Sequence, residues 1–154
     1  MLLRTLVVAM LLFFAGTAPA QDSAPRRDLA ADERCGGHTL SRHVGWTDAQ
    51  LAERLRRQDI SAASTYTDRE TAERIVGLTL ARERARVEAW TRRKGRRPNL
   101  VLRYRGDPRG DPIGRSLRRG TRRSQPCYDA VVVLRWDERR NAFCVLTSYP
   151  EVRR

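Results

Sequence analysis

Between Thr47 and Trp90 the apolar positions of the chain recur at helical spacing, and beyond Pro98 they alternate. These are the periods of helix and strand. Thr47 to Gln50, "TDAQ", is a capping box, and Trp46 before it can close on Leu51 as a hydrophobic staple, which predicts a helix from there to about Gln58. "TDRE" at Thr67 to Glu70 repeats the signal. Ala72, Ile75, Val76, Thr79, Val87 and Trp90 then carry the apolar face of a second helical region that ends before Gly95. Past Pro98, "NLVLRYR" and "IGRSLRR" read as strands separated by the turn-rich "GDPRGDP". "AVVVLRW" with "AFCVLTSY" reads as a closing hairpin that turns near Glu138 to Asn141. Helices followed by strands predict an α+β fold, with N-terminal helices packed on a C-terminal antiparallel sheet of about four strands. In "FCVLTSYP", plain alternation sets Phe143, Val145, Thr147 and Tyr149 on one face and Cys144, Leu146 and Ser148 on the other.

The first twenty residues break this pattern. "TLVVAMLLFFAG" is an apolar run too short for a comfortable membrane span, and it lies between Arg4 and the small-residue pattern "APA". Residues 1–20 are therefore expected to be a secretory signal peptide, which makes the mature chain periplasmic or secreted, without stable membrane insertion. Residues 21–34 are polar, contain Pro25 and show no apolar period, and read as a flexible leader; residues 35–154 form the domain. Cys35, Cys127 and Cys144 remain after processing, where an oxidising compartment permits a bridge. The hairpin register puts Cys144 opposite about Arg135 and leaves Cys127 several residues out of step, so those two cannot pair. Cys35 with Cys127 is the default pair, with Cys144 a buried thiol.

Charge changes the picture further. The chain has 31 basic residues, all but one of them Arg, against 18 acidic ones. Loss of Arg4 with the signal peptide leaves 30 against 18, a net charge of +12, which predicts a polyanionic partner: nucleic acid, nucleotide phosphate or an anionic envelope surface. The Arg-rich loop over 118–126 contains Arg122 and Arg123, candidate phosphate contacts. Both histidines of the chain lie in one stretch, "HTLSRHV". If that stretch is helical, His38 and His43 are rotated by about 140° from one another, which disfavours a shared metal. His43 then borders the Leu40 and Val44 stripe while His38 points away. Arg54 borders the apolar stripe of the next helix, unlike Arg56 and Arg57, and its planar fork suits a phosphate. Thr147 and Tyr149 place two hydroxyls where the last strand ends at Pro150. Each of these has a plain structural reading too: a satisfied core histidine, an arginine covering the core with its stem, ordinary strand formers.

The blocks "GHTLSRHVGWTDAQLAERL", "ISAASTYTDRETAE", "VLRYR", "PIGRSLRRG" and "VVVLRWD" to "FCVLTSYP" resemble the ribonuclease A-like toxin domain at the C-termini of bacterial contact-dependent inhibition proteins, over about residues 36 to 150. The resemblance implies a ribonuclease A-like fold and a metal-independent endoribonuclease without cofactor. It further implies antibacterial toxicity, RNA as substrate and a cognate immunity protein as partner. The family's catalytic groups, the second His of H-x-x-x-x-H-V, an Arg of the following helix and a Thr and Tyr of the last strand, fall on His43, Arg54, Thr147 and Tyr149. His38, Arg122 and Arg123 are the expected substrate contacts. Attack by the 2′-hydroxyl would leave 2′,3′-cyclic phosphate ends, with His43 as base. Likeness to vertebrate pancreatic ribonuclease is one of architecture, since this chain lacks a second catalytic His and multiple disulfides. The rival reading is a non-catalytic basic module that binds extracellular nucleic acid or an anionic envelope surface.

Overall fold

The computed structural model describes residues 25–153; the expected signal peptide and the start of the leader lie outside them. Asp28 accepts from the Ala31 amide and starts α1 (Leu29–Arg34), whose Leu29 and Asp32 are buried. The expectation of a flexible leader is therefore corrected over its second half, where one apolar residue and one carboxylate suffice to dock a short helix. α2 (Thr39–His43) is followed by α3 (Asp48–Arg57), which carries the expected capping box. Next come β1 (Ala62–Tyr66), α4 (Arg69–Arg82) and α5 (Arg84–Thr91). The cap of α4 is Asp68, one residue after the expected Thr67, with its carboxylate accepting from the Thr71 amide at 2.7 Å. Strands β2 (Leu100–Tyr104), β3 (Gly114–Arg118), β4 (Gln125–Cys127), β5 (Asp129–Asp137) and β6 (Ala142–Glu151) complete the described chain.

The α+β class holds, with the strands in two antiparallel sheets of order β1-β3-β4 and β2-β5-β6 in place of a single sheet of about four. Helices α4 and α5 cover β2-β5-β6 through Ala72, Ile75, Val76, Val87 and Trp90, which meet Leu102, Val132, Leu134 and Val145 in the main core. The second sheet has its own small core, in which Leu51 and Leu55 of α3 pack on Ala63 and Leu117 with Trp46 and Ile60 at the margin. Burial of such side chains stabilises each layer by about 1.5–3 kcal/mol per large residue. The two sheets close on each other at Gly114, where a Cβ would stand 2.2 Å from the Thr65 carbonyl oxygen and 2.8 Å from the Pro150 ring. No larger residue fits between them.

Strand β6 departs from plain alternation. Arg135 faces Cys144 as the hairpin predicts, but Leu134 pairs with Val145 and Val133 with Thr147, so Leu146 is an extra, bulged residue. A bulge reverses the pleat. Val132 faces Ser148, which takes the core side, while Thr147 and Tyr149 face Val133 and Val131 on the side of Cys144. The expected common face of Phe143, Val145, Thr147 and Tyr149 is therefore corrected: the last two share a face, opposite the first two.

The free edge of β6 is covered by α1 and α2. Asp32 accepts from the Val145 amide at 2.9 Å, the His38 amide donates to the Leu146 carbonyl at 3.0 Å, and the Thr39 hydroxyl accepts from the Ser148 amide at 2.9 Å. The Arg27 guanidinium grips both oxygens of Asp32. Gly37 is required at this seam, since a Cβ there would lie 2.4 Å from the Val145 carbonyl oxygen. The disulfide forms here as Cys35–Cys144, and Cys127 is the buried free thiol. This corrects the default pairing. The side of β6 that bears Cys144 turns toward the α1–α2 junction, a long-range contact that no local spacing reveals.

Candidate active site

Between the open face of β1-β3-β4 and the Thr147 side of β6 lies a cleft of about 930 Å³. Helix α2 closes one end of it. His38, His43, Arg54, Thr147 and Tyr149, which come from separate blocks of sequence, all line this cleft. Ser64, Ser116, Arg118 and Gln125 line the opposite wall.

His43 ends α2 and is 8% exposed. Its Nδ1 lies 3.1 Å from the Ser64 carbonyl oxygen. A carbonyl only accepts, so this is a hydrogen bond when Nδ1 carries the proton and Nε2 the lone pair. Burial is the main reason that the His43 pKa falls, to about 4; Arg54, His38 and Arg42 lower it further, and the bond to Ser64 opposes them. The imidazole is consequently neutral at pH 7, with its basic nitrogen unprotonated. Its ring centroid lies 5.4 Å from that of Tyr149.

Tyr149 is half-buried, and burial with the nearby Glu151 carboxylate raises its pKa, against the opposing charge of Arg103. Its phenol therefore holds a proton that it can donate. Thr147 Oγ1 is buried and has no hydrogen-bond partner. An unpaired buried hydroxyl costs about 1–3 kcal/mol, and it stands here in the wall of a polar cleft. Arg54 is half-buried whereas Arg56 and Arg57 are exposed, as the apolar stripe predicts. Its Nη1 donates to the Arg42 carbonyl at 2.9 Å and its Nε to Gln58 at 3.0 Å, while its guanidinium stacks over Trp46 with 5.6 Å to the ring centroid. Among the described residues no carboxylate pairs with it, so its charge is free to meet an anion.

His38 is brought into the same cleft, against the expectation that it points away from His43. It precedes α2 with φ −152° and ψ 31°, so helical rotation does not govern it. Burial, then Arg42 and Arg54, lower its pKa. Arg122 and Arg123 are exposed in the turn between β3 and β4 and do not line the cleft. Arg42, close enough to depress both imidazoles, and Ser64 and Ser116 of the wall carry no signal in the sequence, while Arg118 and Gln125 lie near the two ends of the Arg-rich loop over 118–126. β1 and β4 have too few bulky residues to announce themselves as strands. Among the described residues, the groups able to hold a metal together are Asp32, Cys35 and Cys144, at the β6 edge and outside the cleft; the two sulfurs are bonded to each other.

Residues 37–150 match the family described as Bacterial CdiA-CT RNAse A domain. Among solved structures, the chain is similar to one titled as the crystal structure of a CdiA-CT/CdiI complex from Y. kristensenii 33638. The TM-score is 0.66 and the identity 27%, over 75% of this chain and 100% of that one. No curated protein matches the chain. The matched span contains every candidate residue of the cleft from His38 to Tyr149.

Proposed function

Since the chain belongs to the bacterial CdiA-CT RNase A domain family, a family of ribonuclease toxins, we propose that it cleaves RNA without a metal, by internal attack of the 2′-hydroxyl. The observation that carries this reading is the unpartnered Thr147 hydroxyl, buried in the lining of a cleft that also holds a neutral imidazole, a protonated phenol and a guanidinium with no carboxylate partner among the described residues. His43 Nε2 takes the proton of the 2′-hydroxyl as its oxygen attacks phosphorus. Arg54 and the Thr147 hydroxyl meet the charge that gathers on the non-bridging oxygens. Tyr149 gives its proton to the departing 5′-oxygen, and the bond to that oxygen breaks. The products are a 2′,3′-cyclic phosphate and a free 5′-hydroxyl, with no water consumed. DNA, without the 2′-hydroxyl, is not a substrate.

Export through the signal peptide over 1–20 and neutralisation by a cognate immunity protein belong to the same reading; the Y. kristensenii structure is titled as a complex with CdiI. The test is incubation of the purified mature chain with total RNA in excess EDTA. Cyclic phosphate ends from the parent, with a loss of about 100-fold or more in His43→Ala, are expected. Activity that vanishes with chelation and returns with a divalent ion would overturn the reading. Retained RNA binding without cleavage by the parent would favour the basic binding module that the charge also allows.

A further inference from the structure

The wall of the cleft facing β6 has a chemistry of its own. Register places Ala62 opposite Arg118, Ser64 opposite Ser116, and Ser116 opposite Gln125, so these five side chains stand on one face of β1-β3-β4. The other face is packed on α3 through Ala63 and Leu117. Strands usually fill a covered face with branched and aromatic residues. This one has a floor of Ala62, Ser64 and Ser116 that leaves the cleft open, bordered by Arg118 and Gln125. Arg118 and Gln125 accept hydrogen bonds through their backbone carbonyls, and their side chains have no hydrogen-bond or ion-pair partner among the described residues. Ser64 marks the level of His43, through its carbonyl. Arg118 lies one pleat repeat farther along β3 than Ser116, roughly 7 Å on.

We propose that this wall is a nucleobase subsite, in which the small floor receives the face of one base and Arg118 with Gln125 read its edge. The inference rests on the ribonucleolytic reading for its substrate class. A planar guanidinium offers donors only, in a fork that fits two adjacent acceptors. Guanine presents such a pair at O6 and N7, cytosine at O2 and N3; adenine and uracil interleave donors with acceptors. The Gln125 amide oxygen is then available to the donor next to that pair, N1–H of guanine or the amino group of cytosine. Single-stranded RNA is read in this way, on splayed bases whose edges are free. The site therefore favours guanine and cytosine over adenine and uracil.

The experiment is calorimetric titration of the mature chain with the four nucleoside 3′-monophosphates, with ribose 5-phosphate as a base-free probe. The guanosine and cytidine ligands are expected to bind about tenfold more tightly than the other two, the low end of what one bidentate contact discriminates. Arg118→Met, at an exposed strand end where the fold does not depend on it, should bring all four within about twofold of one another. Gln125→Ala should narrow the gap partway. A parent that does not discriminate, or that prefers adenine or uracil, refutes the subsite. So does a uniform loss in Arg118→Met that extends to ribose 5-phosphate, since Arg118 would then be a phosphate contact. Binding is read without turnover, so failure of the catalytic reading shows separately, as base discrimination in a parent that leaves RNA intact.

Discussion

Protonation of His43 links the site to acid stability. Its pKa is depressed from 6.5 to about 4, chiefly by burial. As pH falls through 6.5 the unfolded chain takes up a proton that the folded chain refuses, so stability present above that pH is lost progressively. The loss levels off only once the pH is below about 4. At pH 4 it amounts to about 3 kcal/mol relative to pH 7, from roughly 1.36 kcal/mol for each pH unit between the two titrations, with the folded site itself half titrated. Urea unfolding of the parent and of His43→Gln at pH 7, 5.5 and 4 isolates this contribution, because every other group titrates in both. The parent is expected to lose about 3 kcal/mol more than the variant between the two extremes. The kcat/KM profile gives an independent reading, since it reports the free enzyme. It should stay level down to about pH 5, where an ordinary histidine base would already have lost most of its activity. Parallel stability curves for the two proteins, or an acid limb centred near 6.5, would show that the imbalance between buried and free imidazole is absent and that His43 is not the desolvated base described.

Three further outcomes follow from the same geometry. The Cys35–Cys144 bond spans 109 residues of sequence, so its reduction, or Cys144→Ala, should lower stability by about 4–5 kcal/mol in urea on loop entropy; an equal midpoint in oxidising and reducing buffer would contradict that. Thr147→Val removes a hydroxyl that has no partner, so stability should hold or rise by about 1 kcal/mol while kcat falls about tenfold or more; a large loss of stability with kcat intact would assign the residue to packing. Replacing both Arg122 and Arg123 with Ala should weaken RNA binding and reduce its salt slope without slowing single-turnover cleavage at saturation, whereas Arg54→Lys should keep much of the binding and slow cleavage. If Arg54→Lys cleaves saturating RNA as fast as the parent, the site loses its electrostatic component.

Much of the scaffold was legible because its signals are local. A capping box needs only Thr47 and Gln50, and a hairpin needs only its turn to set Arg135 against Cys144. The half-buried position of Arg54 likewise follows from its place beside Leu51 and Leu55 on one helix. What failed depends on contacts between distant segments. Cys144 finds Cys35 only because α1 docks on the edge of β6, and α1 docks through a single buried apolar residue and the Asp32 carboxylate that accepts from the Val145 amide. The bulge at Leu146 has no glycine or proline to mark it, yet it decides which side chains of β6 face the cleft. Strand β1, "AASTY", lacks the bulky alternation of a typical strand because its open face is the floor of the cleft. The property that hid it from pattern reading is the one that leaves room for a ligand.

The covered edge of β6 also has a consequence for when the cleft can exist. The backbone groups that Asp32, His38 and Thr39 satisfy belong to Val145, Leu146 and Ser148, on the last of the described strands. A nascent or unfolded chain can form α3 and its cap from local sequence, but it cannot bring His43 to Thr147 and Tyr149 until β6 has been made and docked. Such long-range pairing is slow relative to helix formation. The cleft-lining residues thus stay apart during synthesis, and any truncation that removes β6 removes Thr147 and Tyr149, together with the edge on which α1 and α2 dock.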